Sequence, residues 1–68
     1  MQLTRRQLQV AHMMADGLTR EDVAEQLDIS PNTVLAHMHN LYQRTGADDY
    51  DEAIELALLW EQVEGQLV

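Results

Sequence analysis

Cysteine and lysine are both absent from this 68-residue chain. Without cysteine there is no disulfide framework, no thiol nucleophile and no thiolate metal ligand. That excludes a stapled secreted scaffold and fits a reducing cytoplasm. Long apolar runs are missing too. The densest, around Ala57, Leu58, Leu59 and Trp60, falls far short of the roughly 20 residues that cross a bilayer. No long apolar stretch follows Arg5 and Arg6, so the N-terminus does not read as a signal peptide. The expectation is a soluble cytoplasmic protein with no membrane association. Its size predicts one domain over 1–68, and a chain this short buries only about 60% of its unfolded surface. With no disulfide available, self-association is the natural source of further burial.

Bases are scarce. Twelve acidic residues face four basic ones, a formal net charge of −8, and the four bases are Arg5, Arg6, Arg20 and Arg44. Nucleic-acid binders gain much of their affinity from basic side chains that displace counterions from phosphates, so charge alone argues against that class. Two origins of such a surface stay open. Acidic, lysine-poor proteins suit concentrated salt, as in halophiles. A GC-rich genome, bacterial or viral, also replaces lysine by arginine.

What the chain does contain is helix signals. No segment alternates with period two, so an all-α fold of four helices is expected. The first is predicted over 5–16, with Leu8, Ala11, Met14 and Ala15 inward and Val10 and Met13 flanking. Thr4 caps it, Gln7 completes a capping box, and Leu3 can staple to Leu8. Gly17 supplies the left-handed residue that ends it. The second, over 20–27, buries Val23, Ala24 and Leu27. The third, over 31–45, buries Val34, Met38 and Leu41 and stops at Gly46. The fourth starts after Asp48 or Asp49, which can cap it with Glu52, and is expected to end near 64, before Gly65.

Residues 18–46 repeat one start signal. Leu18-Thr19…Val23 and Ile29-Ser30-Pro31…Val34 each place an apolar residue before a hydroxyl cap and another five positions on. Pro31 sits where a missing N–H costs nothing. Two short helices joined by a tight turn, the second with a polar outer face, form the layout of a helix-turn-helix reader of DNA.

From Leu3 to Ala57 the chain resembles the C-terminal DNA-binding domain of the LuxR/FixJ/GerE regulators. The matching residues are Leu3-Thr4-Arg5-Arg6-Gln7, Gly17-Leu18-Thr19, Val23-Ala24-Glu25-Gln26-Leu27, Ile29-Ser30-Pro31-Asn32-Thr33-Val34, His37, Asn40-Leu41-Tyr42 and Glu52-Ala53. The resemblance implies a four-helix LuxR-type helix-turn-helix domain. The third helix (31–45) would enter the major groove and the fourth (50–64) would form a symmetric dimer. Leu35 stands where the family usually has lysine, and Asp48 where a base is frequent. The pattern places His37 on the inner side of the third helix, as a hydrogen-bonded core histidine.

The candidate DNA-binding residues are Thr19, Arg20, Ser30, Asn32, Thr33, Leu35, Ala36, His39, Gln43 and Arg44. Asn32, Thr33 and Gln43 can hydrogen-bond base edges or phosphates, and Leu35 and Ala36 can touch thymine methyls. The helix N-termini at Thr19 and Ser30 offer backbone N–H groups to phosphate. The fourth helix has more apolar surface than one core uses. Ala53, Ile54, Ala57 and Leu58 form one stripe; Leu56, Leu59, Trp60 and Val63 form a second, the candidate dimer interface, with Trp60 as anchor.

No nucleophile–base pair or phosphate-cradling glycine loop is present, so no catalytic residue, enzyme activity or cofactor is expected. The histidines lack zinc-site spacing, and the acidic cluster at 48–52 lacks the glycine of a calcium loop. Two functions follow. One is a stand-alone, sequence-specific transcriptional regulator that binds double-stranded DNA as a homodimer. The other is a protein-binding module on the same scaffold, an anti-activator or host-factor inhibitor such as a virus would encode, that no longer reads DNA.

Overall fold

The computed structural model describes residues 3–67, with side chains described through Val63. Four helices follow one another: α1 (Arg5–Ala15), α2 (Arg20–Leu27), α3 (Pro31–Thr45) and α4 (Tyr50–Leu67). No described residue lies in a strand. α3 is central and packs against each of the other three helices.

Each helix begins where a side chain takes over an orphan backbone donor. Thr4 Oγ1 accepts the Gln7 N–H at 3.1 Å, while Gln7 Oε1 accepts the Thr4 N–H at 3.0 Å. Thr19 and Asp22 form the same reciprocal box at α2, aspartate doing the work that glutamate or glutamine does elsewhere. Ser30 Oγ accepts the Thr33 N–H at 3.1 Å, with Pro31 in the first turn. Asp49 Oδ1 accepts the Glu52 N–H at 2.8 Å. A hydroxyl or carboxylate cap of this kind stabilises a helix by about 1 kcal/mol.

The helix ends differ from one another. At α1 the Leu18 N–H reaches Met13 O and the Gly17 N–H reaches Met14 O, a Schellman closure that Gly17 permits with φ 94°. The same closure ends α2, with Ile29 N–H on Ala24 O and Asp28 N–H on Glu25 O. Here the left-handed residue is Asp28, φ 56° and ψ 47°, the one positive-φ residue other than glycine among those described. Aspartate tolerates that region better than most residues, yet glycine tolerates it at no cost. α4 does not stop before Gly65 but continues to Leu67. A single interior glycine costs a helix about 1 kcal/mol, which weakens it without breaking it.

The core is small-residue rich: Val10, Ala11, Val23, Val34, Leu41, Ala53 and Ala57 are fully buried, and Ala24, Met38, Ala47 and Ile54 nearly so. Small side chains from α1, α2 and α4 let the helices close around the longer ones of α3. α1 is rotated relative to the expected face. Val10 is fully buried rather than flanking, and Ala15 is exposed. Gln7 completes the buried side at 5% exposure, its amide oxygen satisfied by the capping box. His12 Nε2 and Glu61 Oε1 join α1 to α4 at 2.6 Å.

The left-handed Asp28 generates a prediction. Asp28→Gly is expected to raise unfolding stability by about 1 kcal/mol, or roughly 4–8 °C in Tm for a domain this size. Asp28→Asn, which removes the charge and keeps left-handed tolerance, separates backbone strain from electrostatics. Urea unfolding of the three proteins decides it; an Asp28→Gly no more stable than Asp28→Asn would contradict the strain argument.

Candidate nucleic-acid interface

Burial of Val34, Met38 and Leu41 turns the opposite side of α3 to solvent. At 100° per residue, Asn32, Ala36, His39 and Gln43 form one outward stripe, and all four are exposed. Leu35, 37% exposed, borders it on one side. Thr33 and Arg44 border it on the other and are exposed too, as is Asn40 between them. Asn40 was not among the expected contacts; its sequence signals are its place in the Asn40-Leu41-Tyr42 match and its position between Thr33 and Arg44 on one helical flank.

Charge is sorted by helix. All twelve acidic residues lie outside α1 and α3. They occupy α2, α4, the turn at Asp28, the loop at Asp48 and Asp49, and the cap of α1 at Asp16. α3 contains Arg44, His37 and His39 and no acid. The helix that would lie nearest to phosphates is thus spared the charge the rest of the chain carries.

The helix N-termini offer less than expected. At α3, Pro31 has no N–H, and those of Thr33 and Val34 are directed to Ser30. That leaves the Asn32 N–H as the first-turn donor without an intrahelical partner. The Thr33 hydroxyl lies 2.9 Å from Ser30 Oγ, so two of the expected contacts are tied to each other. At α2, the N–H groups of Asp22 and Val23 are taken by Thr19. Arg20 is exposed there, but its Nη2 lies 3.6 Å from Glu21 Oε1. Such an exposed pair is weak, and a phosphate can replace the glutamate. Arg5 lies elsewhere, beside His12, Asp16 and Glu61 in a groove between α1 and α4.

His37 is half-buried and has no hydrogen-bond partner among the described residues, so the expected bonded core histidine is not what the structure shows. His39 instead joins an aromatic row. Its ring stacks at 6.4 Å on Tyr42, which meets Tyr50 edge-on at 5.6 Å. Tyr50, the first residue of α4, therefore stands beside the outward stripe of α3. It was absent from the expected contacts because only the turn after Gly46 brings it there. No cluster of three or more His, Cys, Asp or Glu side chains suited to a metal occurs among the described residues.

On α4 the second apolar stripe divides. Leu56 packs against the domain's own core. Leu59 and Val63 are exposed at 57% and 42%. Trp60 is half-buried, and its Nε1 is shielded from solvent without a hydrogen-bond partner in the described structure. Among the described residues, no helix is long and apolar enough to cross a membrane.

A capped helix, a left-handed turn and a second capped helix with an exposed polar face define a helix-turn-helix domain. Residues 1–57 match the bacterial regulatory proteins of the luxR family, and the chain belongs to that family. It is 42% identical over 55 residues to the uncharacterized transcriptional regulatory protein YxjL of Bacillus subtilis strain 168. It is 34% identical over 55 residues to the HTH-type transcriptional regulator MalT of Yersinia pestis strain Pestoides F. Each match covers 81% of this chain, but only 25% of YxjL and 6% of MalT. No solved structure gives a significant match.

Glu21→Gln is expected to free Arg20 for a phosphate and raise affinity for duplex DNA by roughly threefold at about 0.1 M salt. The gain should fade near 1 M, where the screening length is only about 3 Å. Fluorescence anisotropy at both salts checks it; no gain at low salt would show that Arg20 does not contact DNA.

Proposed function

We propose that this domain is a sequence-specific DNA-binding module of a transcriptional regulator, acting as a homodimer with α3 in the major groove. The observation that carries this reading is the acid-free α3 with its exposed stripe of Asn32, Ala36, His39 and Gln43. Its family membership and the regulator names of its relatives support the same reading. The dimer would form through α4, where Leu59 and Val63 expose apolar surface that the domain's own core does not use. In a symmetric pair these residues would face their own copies, and the two α3 helices would meet half-sites about one DNA turn apart.

Acids on α2 and α4 set the conditions. At low ionic strength they repel phosphate; in concentrated salt they are screened, while contacts from α3 at close range persist. Affinity is therefore expected to hold or rise with KCl, opposite to the usual loss from counterion release. The competing reading, a protein-binding module, draws on the exposed Leu35 and on the acidic surface. Leu35→Lys separates the two. It should strengthen sequence-independent duplex binding several-fold if α3 enters the groove, and create little DNA affinity otherwise.

Selection of sites from a random duplex pool, at about 0.1 M and about 2 M KCl to span the range of counterion effects, tests the function directly. Enrichment of a palindromic motif is expected, more strongly at high salt; no motif at either salt would overturn the reading. Sedimentation tests the dimer. Leu59→Glu is expected to halve the mass of a dimeric wild type without loss of helix content, and a monomeric wild type would refute the interface.

A further inference from the structure

Asn32, Leu35, Ala36, His39 and Tyr50 line one shallow groove of about 390 Å³ on the outward face of α3. Four of these residues come from α3 and one from the start of α4, so neither helix alone forms it. None of the five is acidic, although Asp48, Asp49 and Asp51 lie close by in the chain. Leu35 and Tyr50 are its two large exposed hydrophobic walls, at 37% and 38%. The Tyr50 ring does not stand alone: Tyr42, half-buried against the core, meets it edge-on and stacks on His39. Tyr42 is thus a positioning residue for both rings, through aromatic contacts of ordinary geometry.

We infer that this groove reads thymine, and that Tyr50 is a specificity-determining residue of the DNA interface. The inference rests on the DNA-binding reading above and deepens it. In the major groove thymine presents a methyl group beside a carbonyl acceptor, whereas cytosine presents an amino donor and no methyl, and guanine only acceptors. The groove matches the first pattern. Leu35, Ala36 and the faces of His39 and Tyr50 provide an apolar seat for a methyl, and Asn32 brings an amide donor to its edge. Leu35 then has a use that lysine at the same place would not serve. A lysine donor favours guanine; a leucine offers nothing to guanine and shields a methyl from water. Apolar readout also needs no basic charge, which suits a chain with four arginines and no lysine.

The test removes methyl groups from the DNA and leaves the protein untouched. The motif selected by the wild-type protein is resynthesised with deoxyuridine in place of thymidine, one position at a time, and binding is measured at the salt that gave the motif. At one thymine per half-site, loss of the methyl is expected to weaken binding about fourfold, the value of one buried carbon. Where cytosine replaces that thymine, 5-methylcytosine should recover part of the loss. Tyr50→Ala should reduce the uracil penalty below about twofold, and Tyr50→Phe, which keeps the ring, should retain it. A motif without a fixed thymine, or no uracil penalty at any position, overturns the inference and leaves DNA binding intact. An undiminished penalty in Tyr50→Ala removes Tyr50 from the groove. Absence of any motif overturns the DNA-binding reading itself, and this inference with it.

Discussion

α3 is held in rotation by three side chains. Val34 and Leu41 are fully buried and Met38 nearly so, and they sit on one side of a helix that touches all three of the others. A turn of α3 by one residue position would move this stripe into water and bring Leu35 and His39 inward. Burying side chains of this size is worth about 1.5–3 kcal/mol each, so such a rotation is closed to a domain whose whole stability is of the order of 5–15 kcal/mol. The outward stripe, the flanking position of Leu35 and the reach to Tyr50 all follow from that single restraint. Small residues on the surrounding helices, Ala11, Ala24, Ala53 and Ala57, allow the close approach on which it depends.

Caps determine where α3 begins, and thereby which residues it can present. Ser30 and Pro31 consume or delete most first-turn donors, so the N-terminus of this helix is better closed than a generic one. Recognition through α3, as proposed above, would then come from side chains rather than from backbone N–H groups. The turn that precedes it relies on aspartate where glycine would be unstrained. Local strain and a sealed helix start sit side by side at the centre of the motif.

Much of this was legible in the residues. Thr4, Thr19 and Ser30 announce helix starts because a cap is satisfied three positions away, within reach of sequence alone. Pro31 and Gly46 mark the bounds of α3 for equally local reasons. The face of α1 was less legible, since Leu8, Val10, Met13 and Met14 give apolar spacing on several sides and the burial of Gln7 depends on its capping role. Asp28 carried no signal of a left-handed turn, because aspartate is more often an ordinary surface residue. Tyr50 was invisible for a different reason: its contact with Tyr42 is made only after the chain reverses between α3 and α4. Gly65 misled in the opposite sense, as a breaker signal that the helix absorbs.

The sorting of charge by helix has a kinetic side. A body whose acids are spread over α2, α4 and the connecting turns, and withheld from α1 and α3, is a polyanion with two acid-free helices, of which α3 carries the outward polar stripe. If α3 reads DNA, encounters through the acidic helices would be short-lived, and lateral diffusion along a duplex would have little attraction to sustain it. Such a domain would find a target mostly by repeated collisions from solution, its face selected before any base is read. Orientation would then be the first filter of specificity, and sequence the second.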